Sequence, residues 1–353
     1  MTIRFEPSGA WTALVTPFSV DGALDVPRLS RLIDFQIREG IDGILPCGTT
    51  GESPTLPWKE HDRVIHRSIE AADGRVGVLA GTGSNNTAEA IRGTEHARRS
   101  GASAALLVDC YYNGPSSLEL RTEYYERVLS AVPDLPIVPY VIPGRSGCAL
   151  GAEDLALLHL QDPVRVPAVK EATGDLDRMR RTRTLSGEAL AILSGDDPMT
   201  LPMMQDARIT AAGVVSVVSN IVPASMHRLV AAERAGEGDV AARLATELQP
   251  LIALVTVVAP SERALPDGRR VQVRDKFRNP VPVKTMMAGL GMIEATFRPP
   301  LGRMTPAGVA ACREALRAVH ASNAEHLAPI GRAFDVDIAA RLADDAVWSS
   351  LAR

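Results

Sequence analysis

The chain has 353 residues, 46% hydrophobic, 23% charged and 4% aromatic, with a formal net charge of -4. That length buries a large core, either as one α/β barrel or as about two smaller domains. There is no basic excess to meet a nucleic-acid backbone, and three Trp, five Tyr and six Phe are too few for stacking platforms.

Taken in chain order, short apolar runs recur at 11–16, 43–47, 75–80, 104–108, 136–141, 166–169, 190–193 and 213–217. Helical periodicity fills the gaps: in 26–39, Leu29, Leu32, Ile33 and Ile37 repeat at three or four residues, with Asp25 as N-cap and Gly40 just past the end. Continuous apolar strands alternating with amphipathic helices predict parallel β/α units buried on both faces. Gly81-Thr82-Gly83 stops short of a dinucleotide fingerprint and no Walker A sequence is present. Eight units therefore predict an α/β fold, a (β/α)8 TIM barrel over residues 1–235, with a C-terminal helical domain at 236–353. Within the second part, 261–279 is charged and turn-rich and predicts an inserted hairpin or loop. Residues 323–353 predict a helical tail, with Ile330, Phe334, Ile338 and Leu342 at four-residue spacing.

Cys47, Cys110, Cys148 and Cys312 include no CxxC pair, and Cys47 and Cys110 are expected to be small buried residues. The first residues lack a basic stretch followed by an apolar one, and no run approaches the ~20 residues of a membrane span. A reduced, cytoplasmic protein is expected. The seven histidines show no metal-ligand spacing, so neither metal nor cofactor is expected. Asp196-Asp197, after the seventh strand, is read as a helix N-cap before Pro198.

Barrel chemistry sits at the C-terminal ends of the strands. The second strand closes on Gly48-Thr49-Thr50-Gly51-Glu52-Ser53, whose hydroxyls and N–H groups can hold a small carboxylate, or simply cap the next helix. The fourth and fifth close on Tyr111-Tyr112-Asn113 and on Tyr140 followed by Pro143-Gly144-Arg145, gathering three of the five tyrosines. A confined phenol relays protons and a guanidinium grips a carboxylate, although either group also serves ordinary surface packing. The sixth ends in Lys170-Glu171-Ala172-Thr173-Gly174. A nucleophilic lysine needs its pKa brought from ~10.4 to roughly 7–8, about 4 kcal/mol, which partial burial in a barrel mouth supplies. Such an amine suits Schiff-base chemistry with a ketone or aldehyde. The competing use is an ion pair with Glu171 or another rim carboxylate.

GTTGES at 48–53, YYN at 111–113, Tyr140 with PGRSG at 143–147, KEATG at 170–174 and SGDD at 194–197 stand in order at successive strand ends. Together they resemble the dihydrodipicolinate synthase / N-acetylneuraminate lyase family of pyruvate-dependent class I aldolases, over roughly residues 9–320. The resemblance implies that Lys170 forms the imine with pyruvate and that Thr49 and Thr50 hold its carboxylate beside Gly48. It makes Tyr140 the general acid/base, with Thr49 and Tyr112 relaying protons and Tyr112 reaching into a neighbouring subunit. The carbonyl of Val215 would line the imine pocket. A homo-oligomer, dimer or dimer of dimers, follows. Arg145 is similar to the arginine of the synthase branch, so the expected reaction is condensation of pyruvate with L-aspartate 4-semialdehyde to 4-hydroxy-tetrahydrodipicolinate, towards lysine.

Ser53, Trp58, His61, Asn85, Glu89 and Tyr111 match the positions of a lysine effector site in that family. Val141-Ile142 in place of Asn-Val, and Asp109-Cys110 in place of Thr-Pro, depart from its pattern at the rim of the second-substrate pocket. An aldolase or dehydratase acting on a 2-keto-3-deoxy sugar acid is the alternative within the same chemistry, and a non-catalytic binding barrel the alternative outside it.

Overall fold

The structure is a computed structural model and describes residues 4–353. Eight parallel strands close into a barrel: β1 (Gly9–Ala13), β2 (Gly43–Leu45), β3 (Gly77–Gly81), β4 (Ala104–Val108), β5 (Ile137–Val141), β6 (Ala168–Glu171), β7 (Ala191–Ser194) and β8 (Gly213–Ser216). Each strand pairs with the next, and β8 closes on β1 with Trp11 opposite Val215. Every predicted apolar run carries one of these strands, displaced by no more than three residues at either end.

Both strand faces are dry, which is why the runs are continuous rather than alternating. One set of side chains fills the barrel itself: Trp11, Leu45, Leu79, Leu106, Val138, Leu193 and Val215, with Phe5 stacked edge-on against Trp11 below. Trp11 needs room, and Gly43 and Gly77 provide it. A Cβ on either would come within 2.3 Å and 2.7 Å of its ring. The opposite set packs outward on the helices. Val26–Arg38 forms as its periodicity predicts, capped by the Asp25 carboxylate accepting from the Arg28 N–H, and Gly40 follows with φ +82°.

The predicted boundary at 235/236 falls in the turn between helices Pro223–Arg234 and Gly238–Ile252. One hydrophobic core runs across it, joining the outer face of the barrel to Leu248, Met287, Leu316 and Trp348. The insertion is an antiparallel hairpin, β9 (Thr256–Ala264) with β10 (Arg270–Arg278), so it begins five residues before the expected 261. Its early strand was masked in the sequence by an apolar run continuous with the preceding helix. The tail is three short helices, Ala328–Phe334, Ile338–Ala343 and Asp345–Ser350, broken where Asp335 turns left-handed (φ +56°) and where Asp344 caps. Ile330, Phe334, Ile338 and Leu342 are all buried despite the breaks. Among the described residues, no helix is long and apolar enough to cross a membrane.

Candidate active site

Lys170 is the penultimate residue of β6, directly opposite Tyr140 in the β5–β6 register. In parallel strands, opposed residues face the same side, so both side chains point into the barrel. The Lys170 amine lies 4.2 Å from the centre of the Tyr140 ring. It is only 5% exposed, and burial brings its pKa down to about 8. The Asp196 and Asp197 carboxylates oppose that fall, while Arg145 adds to it. At pH 7.5 such an amine is about one-quarter neutral, against about one part in a thousand for an exposed lysine.

The rival ion pair does not form. Glu171, the next residue along the strand, points to the outer side and meets Arg178 at 3.3 Å. Space beside the lysine stem comes from Gly195, where a Cβ would stand 3.2 Å from the Lys170 Cε and 2.7 Å from the Ala172 Cβ.

Burial pushes the Tyr140 phenol up to about 12; Asp196 adds to the rise, and Arg145 and the neighbouring Thr49 side chain oppose it. Thr49 and Thr50 sit on the tight loop after β2, where the Gly51 N–H donates to the Gly48 carbonyl and Cys47 takes φ +57°. At Gly48 a Cβ would meet Leu45 at 2.6 Å, so the loop folds flat onto the barrel top. Arg145 projects from the turn after β5 and donates to the Asn279 carbonyl at 2.9 Å.

A cavity of about 340 Å³ opens over these groups, walled by Gly48, Thr49, Val108, Tyr140, Ile142 and Arg145, among others. It is sized for a small ligand. Thr50, Lys170 and Val215 are not among its walls; they are packed in the barrel interior and its rim, Val215 fully buried on β8. Tyr112 is not brought in either. It is 91% exposed with φ +80°, its N–H donating to the Ser146 carbonyl, and it is not among the residues that wall the cavity.

Ser53, Trp58, His61, Glu89 and Tyr111 surround a second cavity of about 110 Å³ that shares Ser53 and Tyr111 with the first. Burial drives His61 down to about 4, and both of its ring nitrogens lack a partner among the described residues. Trp58 stacks on it at 4.9 Å and Glu89 accepts from Ser84. Asn85 is exposed beside this cavity rather than in its wall, and its backbone meets the Tyr111 phenol.

Asp197 does not cap a helix. Its carboxylate accepts from the Ser216 hydroxyl and from the Val217 and Val218 N–H groups, tying β7 to β8. Asp196 makes no side-chain cap bond; it faces Lys170 and Arg145 instead. Of the two rim cysteines, Cys47 is buried, whereas Cys110 is half-buried with its thiol pushed up to about 12.

The sequence reading passed over Asn279, whose amide donates to the Thr50 hydroxyl at 2.9 Å, and the buried pair Lys284–Glu52, which holds the same loop from beneath. Pro280 and Pro282 mark a turn after the hairpin, but no local signal shows that it folds back on residue 50.

The model of the dihydrodipicolinate synthetase family matches residues 6–265. A relative from Syntrophus aciditrophicus, a 4-hydroxy-tetrahydrodipicolinate synthase, is 42% identical over 297 residues, 84% of this chain and 93% of its own length. Among solved structures, dihydrodipicolinate synthase from Aquifex aeolicus is 37% identical with a TM-score of 0.78, covering 88% of this chain and 97% of that one. DHDPS from Cyanidioschyzon merolae, solved with lysine bound, is 31% identical with a TM-score of 0.78, covering 88% and 98%. A barrel with this strand-end chemistry, matched along most of its length on both sides, belongs to the dihydrodipicolinate synthetase family.

Proposed function

We propose that the chain is a lysine Schiff-base lyase that condenses pyruvate with L-aspartate 4-semialdehyde to 4-hydroxy-tetrahydrodipicolinate. The observation that carries this reading is the buried Lys170 amine, its pKa brought down to about 8 by burial, 4.2 Å from the centre of the Tyr140 ring.

In this scheme the neutral Lys170 amine adds to C2 of pyruvate, whose carboxylate rests on Thr49 and Thr50. Tyr140 supplies the proton that lets the carbinol oxygen leave as water, giving an iminium. That cation is an electron sink, so loss of a methyl proton yields an enamine that attacks the aldehyde carbon of the second substrate. Arg145 takes the second substrate's carboxylate through a charge-assisted pair. The substrate's own amine then displaces Lys170 from C2 and closes the ring. Thr49 passes protons to and from Tyr140 in this scheme. The main-chain carbonyl of Val215 lies against the imine in this scheme.

Tyr112 completes the relay in a second copy, which accounts for an exposed phenol at the rim of a site whose own cavity it does not touch. The functional unit is therefore at least a dimer, and the family resemblance points to a dimer of dimers. Its four free thiols suit a reducing compartment, and we assign the enzyme to the cytoplasm. Lysine is the proposed feedback effector, with its ammonium at Glu89 and its carboxylate near Asn85 and Tyr111, in the cavity where the His61 ring nitrogens lack partners among the described residues. Millimolar lysine should lower the rate of the wild-type enzyme and leave the Glu89→Ala variant unaffected.

Trapping with pyruvate and borohydride, read by peptide mass spectrometry, tests the main assignment. An adduct confined to Lys170, with turnover on aspartate semialdehyde and no pyruvate released from a 2-keto-3-deoxy sugar acid, supports it. No adduct would favour a binding barrel, and release from the sugar acid would favour the aldolase alternative.

A further inference from the structure

Asn279 sits where β10 hands over to helix Val281–Gly289, 8% exposed. Its side-chain Nδ2 donates to the Thr50 Oγ1 at 2.9 Å, across 229 residues of chain. Its backbone carbonyl accepts from Arg145 at 2.9 Å, and the adjoining Arg278 guanidinium donates to the Gly144 carbonyl at 3.0 Å. The two arginines thus clasp the two turns reciprocally through main-chain oxygens, and the side chain at 279 is free to serve Thr50.

A hydroxyl has one hydrogen and two lone pairs. With a lone pair of Thr50 filled by the Asn279 amide, and no other hydrogen bond to that hydroxyl among the described residues, its own hydrogen remains available to a further acceptor. The Asn279 Oδ1, meanwhile, is buried without a partner among the described residues.

We propose that Asn279 is a positioning residue that aims the Thr50 hydroxyl at the carboxylate of the keto substrate. The inference rests on the reading that Thr50 receives that carboxylate. The amide acts by polarity. An aspartate of the same shape would accept the Thr50 hydrogen instead of donating, turning the hydroxyl away and setting a second negative charge behind it. Alanine would release the hydroxyl to rotate.

The test compares wild type, Asn279→Asp, Asn279→Ala, Thr50→Val and the Thr50→Val/Asn279→Asp double variant. Each is assayed for KM of pyruvate, KM of the semialdehyde, and the pyruvate concentration giving half-maximal borohydride labelling. The expected result is a rise of about tenfold or more in the two pyruvate readouts for Asn279→Asp, a smaller rise for Asn279→Ala, and a semialdehyde KM within about twofold. Once Thr50 is valine, adding Asn279→Asp should change pyruvate binding little, because the residue acts through a hydroxyl no longer there. A merely structural role would move both KM values together and stay additive in the double variant; either outcome overturns the proposal. So does normal pyruvate binding in Asn279→Asp when the wild type is labelled. A wild type that pyruvate fails to label overturns the underlying reading, and this proposal with it.

Discussion

Lys170 and Tyr140 are register partners on adjacent barrel strands, and the lysine nitrogen lies 4.2 Å from the centre of the phenol ring. Neither reaches the other through a loop. Their separation is set by the ladder hydrogen bonds of β5 and β6, which is the positioning the proposed proton-transfer pair requires.

Replacing Lys170 with alanine should remove borohydride-dependent pyruvate labelling and lower kcat by at least about a thousandfold. Tyr140→Phe should instead keep the labelled peptide but slow its formation, with turnover reduced roughly 10²–10⁴-fold. Rapid-quench labelling distinguishes the two.

The pH profile should follow the amine. Because the neutral form reacts, kcat/KM for pyruvate should rise with pH through about 8, where burial has brought Lys170. Asp196 holds the ammonium and Arg145 repels it. Asp196→Asn should therefore move the acid limb to lower pH, and Arg145→Gln to higher pH. Movement of both limbs in one direction would contradict this electrostatic account.

Stability should move against function. With a folded pKa of about 8 and an unfolded value of 10.5, both states carry the proton at neutral pH and the native state bears the cost of a buried ammonium. Between those values the unfolded chain binds more protons, so stability gains with rising pH and the penalty is gone above 10.5. Lys170→Met should stabilise the fold at pH 7 by on the order of 3 kcal/mol at most, seen as a higher Tm, and the gain should shrink as the pH approaches 10. Calorimetry at the two pH values checks both sign and trend.

Gly195→Ala places a methyl 3.2 Å from the Lys170 Cε and 2.7 Å from the Ala172 Cβ, and 3.1 Å from the Glu171 carbonyl. Two of these neighbours belong to β6 itself, so the lysine stem must give way. A loss of about 10- to 100-fold in the rate of pyruvate labelling is expected, with the fold retained by circular dichroism. An unchanged labelling rate would show that the stem has slack the packing does not suggest.

Much of this molecule was legible along the chain. Continuous apolar runs closing on Gly, Thr or Ser specify buried parallel strands, because only a strand covered on both faces can dispense with alternation. The residues proposed to act, Thr49, Tyr140, Arg145 and Lys170, lie on or just beyond the ends of β2, β5 and β6 and could be placed for the same reason: strand ends and the loops after them form the rim of any closed barrel. What lay beyond reach was everything set by contacts between distant segments. That Glu171 turns to Arg178, that Asp197 ties two strands rather than capping a helix, and that Asn279 folds back on Thr50 depend on which side chains converge once the barrel closes. Local propensity carries no term for such meetings. The depression of the Lys170 pKa is likewise a property of the enclosed mouth, since desolvation exists only after the surrounding strands have excluded water.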